Sequence, residues 1–334
     1  MDMSAFKTFR IRNDEQGYRA GIEQLRLDDL TEGDVLIKVH YSSVNYKDAL
    51  AGTGKGKILR QFPLNGGIDC AGVVMQSDSA QFKTGDAVLV TGSGLSETID
   101  GGYSQYVRIG HQHVISIPDG LTCRDAMILG TAGFTAGLAL LRMLDNRQKP
   151  EMGAIAINGA TGGVGMLATV LFSKAGFEVH AISGKPEHSD LLKSLGATQI
   201  LTREDILSDK SMDRIRFGGA VDCVGGIMLA SLLVQTTPYG NVASCGLVAS
   251  AELNTTVMPF IIRGVSLLGI ASAGTERDIR EKVWRLLAEY LNSDSLNNLP
   301  VKEITLTQLP KIFEQMLSGQ SFGRCIVKID AEAC

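Results

Sequence analysis

Hydrophobic and polar residues alternate over short distances in the first third of this chain. Runs rich in β-branched residues occur at VLIKVHYSSV, GIDCAGVVMQS, DAVLV and YSQYVRI. Turn-forming segments such as NGG, TGD and GSG separate these runs. Short runs that are bounded by turn residues predict strands rather than helices. The pattern therefore predicts an all-β, barrel-like unit at the start of the chain.

The pattern changes near Thr122, where the apolar stretch CRDAMILGTAGFTAGLALLRML predicts a helix. From Ala154 onward, six apolar runs are separated mostly by segments of helical character: AIAIN, EVHAI, TQIL, AVDCV, NVASCGL and SLLGIA. Six such strands with right-handed crossovers make a doubly wound parallel sheet. A helix around Glu276 to Tyr290 and the strand-like runs VKEITL and GRCIVKI form the tail. We therefore predict an α/β chain with a domain boundary near residue 125.

Composition and charge limit the possible partners. The chain has 334 residues, enough for two domains, and its 44% hydrophobic and 20% charged residues are ordinary for a globular protein. A net charge of -4 leaves no basic surplus for nucleic acid. The N-terminus has no apolar run, and the most apolar stretch, Met127 to Leu141, contains glycines and is shorter than the roughly 20 residues that span a bilayer. We expect no nucleic-acid or membrane partner.

Cysteine and histidine spacing gives no sign of a metal site or a disulfide framework. The cysteines are scattered, at Cys70, Cys123, Cys223, Cys245, Cys325 and Cys334. Scattered cysteines favour reduced thiols and a cytoplasmic protein. His111 and His113 have no accompanying cysteine, and we interpret them as ordinary polar positions. We expect no bound metal.

A glycine-rich segment follows directly after the predicted strand AIAIN. The sequence NGATGGVGMLATVLFSKAG places four glycines between this strand and a helix: Gly159, Gly162, Gly163 and Gly165. Glycines in such a turn let the backbone approach a pyrophosphate, and the free N–H groups of the helix N-terminus bind the anion. Because the strand and the helix that the motif requires are both present, the segment predicts a dinucleotide site.

The end of the next strand indicates which dinucleotide binds. An enzyme that uses NAD usually has an acidic residue there, which holds the ribose 2′-hydroxyl. This chain has AISGKPEH instead, so that Ser183 can bond a 2′-phosphate and Lys185 can neutralise it. Arg203, after the third strand, can reach the same place, although an isolated surface cation is often only solvated. We predict NADPH as the cofactor.

A nicotinamide enzyme without a metal favours the reduction of an activated double bond. Alcohol oxidation requires a Lewis acid or a strong proton relay, and zinc dehydrogenases supply three metal ligands for it. When a double bond is conjugated to a carbonyl, hydrogen-bond donors are enough to stabilise the enolate charge, and water or a tyrosine delivers the proton. The pattern points to reduction of an enone, an enoyl thioester or a quinone.

Several segments together resemble a known family over nearly the whole chain. VNYKDAL, GIDCAGVV, TGDAV, GTAGFTA, NGATGGVG, VDCVGG and TTVMPFIIRGVSLLGI resemble the zinc-free, quinone-oxidoreductase-like branch of the medium-chain dehydrogenase/reductase superfamily. NYKDALAGTGKGKI, AISGK, KSLGAT and TTVMPFIIRGV are most similar to its bacterial acrylyl-CoA reductase group. The resemblance implies a GroES-like β-barrel catalytic domain of residues 1–125 completed by 273–334, a Rossmann domain of residues 126–272, and a homodimer. It also implies NADPH-dependent reduction of acryloyl-CoA to propionyl-CoA.

The resemblance further implies a set of cofactor contacts. They are Tyr46, Thr161, Gly162, Gly163, Val164, Ser183, Gly184, Lys185, Arg203, Leu247, Ile261, Ser272 and Arg324. The related group commonly has Arg at the position of Lys185. Lysine keeps the charge and loses the bidentate geometry, so we expect a softer selectivity for NADPH.

Several of these positions have a second interpretation. Tyr46 supports the nicotinamide or donates a hydrogen bond to substrate, or it is a half-buried aromatic residue, and Asp48 beside it can cap or pair structurally. Arg324 lies in an apolar run, and its partner is either an anionic ligand or a protein carboxylate.

The substrate also has two candidates. The cations Lys55, Lys57 and Arg60 in the segment GTGKGKILRQF bind the coenzyme A part of an acyl-CoA, or they belong to a solvated loop of an enzyme that reduces quinones or enones. A cofactor-binding protein without enzymatic activity is the third possibility.

Overall fold

The computed structural model describes residues 5–330, which divide into two compact units. The first unit comprises residues 5–131, Ala273–Ala288 and 292–330. The second unit comprises Ala132–Ser272 and Glu289–Leu291. The predicted boundary at residue 125 lies in the first unit, six positions before its end at Thr131.

The strands in chain order are β1 (Phe6–Asp14), β2 (Gly17–Leu25), β3 (Val35–Ser43), β4 (Leu64–Asn65), β5 (Asp69–Ser77), β6 (Ala87–Thr91), β7 (Tyr106–Ile109), β8 (Ile115–Ser116), β9 (Ile155–Asn158), β10 (Val179–Ile182), β11 (Gln199–Leu201), β12 (Gly219–Asp222), β13 (Asn241–Ser244), β14 (Ser266–Gly269), β15 (Val301–Ile304) and β16 (Arg324–Lys328). The helices are α1 (Tyr46–Thr53), α2 (Cys123–Asp145), α3 (Gly163–Lys174), α4 (Ser189–Ser194), α5 (Gly226–Gln235), α6 (Met258–Arg263), α7 (Arg277–Tyr290), α8 (Ser293–Asn297) and α9 (Leu309–Leu317).

Two mainly antiparallel sheets form the first unit. One has the order β2-β1-β4, and the other follows the path β15-β16-β3-β5-β6-β8, with β7 also paired to β3. The tail strand β16 runs antiparallel to β3, so the end of the chain completes the sheet that the first third begins. The four strands predicted in this region are confirmed, and β1 and β2 were not predicted.

Helix α9 holds α1 in place within the first unit. Its apolar residues Leu309, Ile312 and Phe313 recur at helical spacing and are buried. Phe313 lies so close to α1 that a Cβ atom on Gly52 would be 2.2 Å from its ring. The glycine therefore allows the close approach that fixes the position of α1, which begins at Tyr46.

The second unit is built on one parallel sheet of six strands. Their order is β11-β10-β9-β12-β13-β14, and every neighbouring pair is parallel. In chain order this is 3-2-1-4-5-6, the doubly wound arrangement of dinucleotide-binding domains. The six strands predicted from the sequence are confirmed. No α-helix lies between β11 and β12 in the described chain, so that crossover differs from the predicted alternation.

Helix α2 is longer than the apolar stretch considered in the sequence. It has 23 residues and bends at Gly130, whose φ of 50° is not helical. By length and composition alone, α2 is long and apolar enough to cross a membrane. The expectation that this apolar region is too short to span a bilayer is therefore wrong. However, 78% of its most apolar window is buried inside the structure, as in the core helix of a globular protein.

The cysteines differ in part from the sequence expectation. Cys70, Cys223, Cys245 and Cys325 are free thiols, as predicted. Cys123 is disulfide-bonded, so the expectation of reduced thiols is wrong at this position.

Candidate functional site

The glycine-rich turn lies between β9 and α3 in the second unit. Gly159 follows β9 with a φ of 60°, and Gly162 is the N-cap of α3 without a side-chain capping bond. The first turn of a helix has N–H groups without intrahelical acceptors, here those of Gly163, Val164 and Gly165. The turn therefore presents backbone donors and the positive end of a helix dipole to an anion.

The turn also has the close backbone packing that a dinucleotide requires. A Cβ atom on Gly165 would lie 2.3 Å from the carbonyl oxygen of Gly159, so only glycine fits. A Cβ atom on Gly162 would meet only that same oxygen, at 3.2 Å, and would otherwise occupy open space. Thr161, which lies between Gly159 and Gly162, is buried. This cradle, which a Cβ atom would fill, fits the pyrophosphate of a nicotinamide dinucleotide.

A buried polar pair under the turn was missed in the sequence. Asn158, at the end of β9, donates from Nδ2 to the Asp222 carboxylate at 2.5 Å, and its Oδ1 accepts the backbone N–H of Cys223 at 2.6 Å. Asp222, at the end of β12, also accepts the N–H of Gly225. Burial raises the pKa of Asp222. The pair joins two neighbouring strand ends, and its only sequence signal is a polar residue at each end.

The three residues predicted to hold the 2′-phosphate lie at the ends of neighbouring strands. Ser183 follows β10, and its backbone N–H donates to Leu201 of β11 at 3.0 Å. The Ser183 hydroxyl accepts the N–H of Lys185 at 3.1 Å, which folds this segment into a turn. Gly184 and Arg203 are exposed, Arg203 lying two residues after β11. Two cations and a hydroxyl at one corner of the sheet fit a phosphate, and no acidic residue takes the place that NAD enzymes use.

The remaining predicted contacts of the second unit lie in different places. Leu247 follows β13 and is 63% exposed, and Ser272 follows β14; both strands end at the same edge of the sheet as β9. Ile261 lies in α6. The carbonyl of Arg263, the last residue of this helix, accepts the N–H of Tyr239, which lies just before the start of β13. The structure therefore does not group Ile261 with the strand ends, and its contact with the cofactor stays a prediction.

Tyr46 is the first residue of α1 in the other unit and is 38% exposed. The helix begins with a capping box, in which the Asp48 carboxylate accepts the backbone N–H of Asn45 at 2.8 Å. Asp48 also accepts the N–H of Ile68 at 2.9 Å. Of the two roles left open for Asp48, the structure supports the cap. Burial and the charge of Asp69 raise the pKa of Asp48 to about 7.

A second buried carboxylate, Asp69, lies beside this cap. It accepts bonds from Ser43 Oγ at 2.5 Å, Asn45 Nδ2 at 2.8 Å, and both the N–H and the hydroxyl of Thr131, at 2.8 and 2.6 Å. These donors satisfy both carboxylate oxygens, as a buried charge requires. The cluster fixes the start of α1, and thus Tyr46, against α2.

Among the described residues, Arg324 is paired with backbone carbonyls and not with a carboxylate. Its guanidinium is buried and donates to backbone carbonyls at the bend of α2: from Nε to Ile128 at 2.6 Å, and from Nη2 to Met127 and Leu129 at 3.4 and 3.5 Å. Gly130 interrupts the helix and leaves these carbonyls without helical donors. The alternative of a protein carboxylate as partner is therefore corrected to a backbone cap, and the contact with the cofactor stays a prediction.

The loop after α1 carries the cations considered for coenzyme A. Lys55, Lys57 and Arg60 are all exposed. Arg60 lies 3.9 Å from the carboxylate of Glu97, which also pairs with Lys47. Within residues 5–330, Lys55 and Lys57 form no ion pair. These two lysines are therefore the cations of this loop best suited to an anionic ligand.

No metal centre is evident among the residues that the structure describes. They contain no group of three or more His, Cys, Asp or Glu side chains that could hold a metal ion. His111 pairs through Nδ1 with Asp34 at 2.5 Å, and burial lowers the pKa of His113.

Comparison with known proteins gives matches in both units. A family model described as alcohol dehydrogenase GroES-like domain matches residues 31–119, and one described as zinc-binding dehydrogenase matches residues 163–289. The chain is 42% identical over 311 residues to the probable acrylyl-CoA reductase AcuI of Escherichia coli, which covers 93% of this chain and 96% of the relative.

Two further relatives are known with their cofactors. The putative quinone oxidoreductase YhfP of Bacillus subtilis is 40% identical, with 97% of this chain and 99% of the relative covered. Its structure with NAD bound has a TM-score of 0.93, at 39% identity, with 98% and 100% of the two chains covered. The YhdH oxidoreductase of Salmonella enterica in complex with NADP also has a TM-score of 0.93, at 40% identity, with 97% and 100% covered.

The fold and the glycine-rich site thus define a two-unit oxidoreductase that binds a nicotinamide dinucleotide. The chain belongs to the medium-chain dehydrogenase/reductase superfamily, with a GroES-like domain and a Rossmann-like domain. NADPH, the cofactor predicted from the sequence, is bound in the structure of YhdH from Escherichia coli, which has a TM-score of 0.93 and 40% identity to this chain.

Proposed function

We propose that the protein reduces the activated double bond of acryloyl-CoA to give propionyl-CoA. A hydride adds to the β-carbon and a proton to the α-carbon, so one NADPH and one proton are consumed. The observation that carries the proposal is the exposed phenol of Tyr46, which has no hydrogen-bond partner among the described residues and precedes a loop with two unpaired lysines. The identity to a probable acrylyl-CoA reductase supports the thioester as substrate.

The second unit holds the cofactor through its own backbone and cations. When bound, NADPH supplies the hydride. The N–H groups of Gly163, Val164 and Gly165 bind the pyrophosphate, and Ser183, Lys185 and Arg203 bind the 2′-phosphate. Asn158 and Asp222 act indirectly, because they hold the strand ends from which these groups project.

Tyr46 stabilises the charge that develops on the thioester oxygen. Its O–H donates to the carbonyl, and the donation strengthens as the carbonyl becomes an enolate. The Asp48 cap and the Asp69 cluster keep the tyrosine at the first position of α1, so the donor is positioned before the substrate binds. Water or this phenol delivers the proton to the α-carbon.

Lys55 and Lys57 bind the phosphates of coenzyme A. They follow α1, whose eight residues span about 12 Å, so the loop is separated from Tyr46 by roughly the length of that helix. A long acyl carrier can bridge such a distance, whereas a quinone cannot. This difference distinguishes acryloyl-CoA from the second candidate substrate, a quinone. The similarity to the putative quinone oxidoreductase YhfP supports that second candidate.

Initial rates of NADPH oxidation with acryloyl-CoA, crotonyl-CoA and benzoquinone test the proposal. We expect acryloyl-CoA to have the highest kcat/KM, and the double replacement of Lys55 and Lys57 by Ala to raise KM for acryloyl-CoA and crotonyl-CoA but not for benzoquinone. Tyr46→Phe is expected to lower kcat with acryloyl-CoA by about a hundredfold, the effect of one lost oxyanion donor. A preference for benzoquinone would favour the second candidate, and tight NADPH binding without turnover would favour a protein without activity.

We also propose a homodimer in which β14 pairs with its counterpart. β14 is an edge strand of the parallel sheet, and Leu267 on it is 37% exposed. In the preceding helix α6, Ile261 and Ile262 are 75% and 61% exposed. An edge strand beside exposed apolar residues is typical of a surface that a second chain covers. The cytoplasmic location stays a prediction.

A further inference from the structure

Two cysteines face each other at the ends of neighbouring strands in the second unit. Cys223 directly follows β12 and Cys245 directly follows β13. Asp222 and Ser244, the residues before them, are register partners in the parallel sheet. The two Sγ atoms are 3.8 Å apart. Separated by 22 positions in the chain, the pair has no motif that would show it in the sequence.

The backbone around the pair suits a disulfide bond. The N–H of Cys245 donates to the carbonyl of Asp222 at 2.9 Å, so the sheet ladder continues to the cysteines. Neighbouring strands are about 4.8 Å apart, which lies inside the Cα separation of roughly 4.4–6.8 Å that a disulfide spans. The sulfurs have to close from 3.8 Å to about 2.05 Å. Side-chain rotation with a small backbone adjustment achieves this.

The pair differs from Cys70 in access, and it differs from both Cys70 and Cys325 in having a second sulfur within contact. Cys223 and Cys245 are half-buried, whereas Cys70 is fully buried. Burial raises the pKa of Cys70 to about 12. The hydrogen bond that Cys223 shares with Cys245, together with burial, raises the pKa of Cys223 well above its usual value. Either thiol of the pair can react first, with the other as its resolving partner.

The pair lies against the turn that binds the cofactor. The Cβ atom of Cys223 would be 3.4 Å from a Cβ atom on Gly159, the first glycine of the turn. The N–H of Cys223 donates to Asn158, and a Cβ atom on Gly246 would be 2.0 Å from the carbonyl oxygen of Cys223. Because the backbone is this tightly packed, a movement of either cysteine is transmitted to the glycine turn and to the segment of Leu247.

We propose that Cys223 and Cys245 form a redox-modification site, at which a hydroperoxide makes a disulfide that weakens NADPH binding. The thiolate of one cysteine of the pair attacks the peroxide, the O–O bond breaks, and a sulfenic acid and water or an alcohol form. The thiol of the other cysteine then attacks the sulfur of the sulfenic acid, and the displaced hydroxide takes up the thiol proton and leaves as water. The two cysteines lose two electrons and the peroxide gains them. A dithiol reductant restores both thiols.

The test compares the affinity for NADPH before and after oxidation. The protein is reduced with dithiothreitol, freed of it and treated with hydrogen peroxide, and NADPH binding is followed by its fluorescence. Peptide mass spectrometry reports the Cys223–Cys245 disulfide on the same samples. We expect the disulfide to raise the Kd for NADPH about tenfold, equivalent to about 1.4 kcal/mol, and dithiothreitol to restore it.

Cysteine variants separate this pair from the other sulfur atoms. Cys223→Ser and Cys245→Ser are expected to keep their NADPH affinity after peroxide, whereas Cys325→Ser should lose it as the natural chain does. Every variant retains Cys123, so changes at its disulfide are common to all. If a serine variant fails to fold, Cys245→Ala takes its place. Peptide mass spectrometry of the natural chain detects the Cys223–Cys245 disulfide without any variant.

Two results would overturn the proposal. One is the absence of a Cys223–Cys245 disulfide after peroxide treatment. The other is a disulfide that forms completely and leaves the Kd for NADPH unchanged. Neither result bears on the reduction of acryloyl-CoA, because both are read from mass and from binding.

Discussion

At the scale of single residues, Asp48 links the candidate site to pH. Its pKa of about 7 exceeds the usual value of 3.8, so between these values the folded chain binds a proton that the unfolded chain has lost. The unfolding free energy therefore falls as pH rises through this window, by at most about 1.4 kcal/mol per pH unit for one group. Asp48→Asn removes this titration. We expect the unfolding free energy of Asp48→Asn, measured with urea relative to that of the natural chain, to increase from pH 4 to pH 7. The same pH dependence in both proteins would contradict a raised pKa for Asp48.

We predict that Lys185 and Arg203 determine the choice between NADPH and NADH. Replacing both by Ala removes two charge-assisted bonds to the 2′-phosphate, each worth about 1.5–3 kcal/mol when well formed. Arg203 is exposed, so solvent screens part of its attraction to the phosphate. We therefore expect KM for NADPH to rise about tenfold or more, with little change in KM for NADH. Lys174→Ala, an exposed lysine at the end of α3, is the control. Equal effects on the two cofactors would remove these residues from phosphate recognition.

The sequence indicated the residues that we propose to bind the cofactor, but not the partners of the buried polar groups. The glycine turn and the missing acid after β10 are local features, so the sequence alone shows them. The partners of Arg324 are carbonyls freed by a bend nearly 200 positions away in the chain, and no local pattern contains that information. The same holds for Asn158 and Asp222, which meet only after β9 and β12 have paired.

At the scale of elements, the bend of α2 is the feature most exposed to a single substitution. A Cβ atom on Gly130 would lie 2.7 Å from Asp69 Oδ2 and 2.7 Å from Ser43 Oγ, both already committed to hydrogen bonds. Its φ of 50° adds strain of about 1–2 kcal/mol for any other residue. Gly130→Ala is therefore expected to lower the unfolding free energy by about 3 kcal/mol or more.

Gly120→Ala is the matched control for this prediction. Gly120 also has a positive φ, of 86°, but a Cβ atom there would have nothing within 4 Å. This variant is expected to lose only the strain, about 1–2 kcal/mol. Equal losses in the two variants, measured by urea unfolding, would mean that crowding at the bend contributes nothing.

The elements themselves were predictable where hydrophobic periodicity was strong. Four of the six parallel strands, β9, β10, β12 and β13, are short runs that are buried almost completely, and such runs stand out in the sequence. β2 was missed because it is mostly exposed and polar, so its alternation is weak. The crossover from β11 to β12 lacks a helix because its residues, ILSDKSMDRIRFGG, have no helical periodicity.

At the scale of the whole molecule, the proposed dimer depends on the edge strand β14. Leu267→Lys places a charge on this edge and is expected to give a monomer in analytical ultracentrifugation, while the natural chain sediments as a dimer. Leu207→Lys is the control, because Leu207 is 39% exposed against 37% for Leu267 and lies outside the edge strand. A monomeric natural chain, or dissociation by both variants, would contradict the proposed interface.

The most direct test of the proposed reaction is the position of the transferred hydrogen. NADPH deuterated at both C4 positions is incubated with acryloyl-CoA and the protein, and the product is analysed by mass spectrometry and NMR. We predict propionyl-CoA with one deuterium on the β-carbon and a solvent hydrogen on the α-carbon. Deuterium on the α-carbon, or no propionyl-CoA while a quinone is reduced, would contradict the proposed reduction.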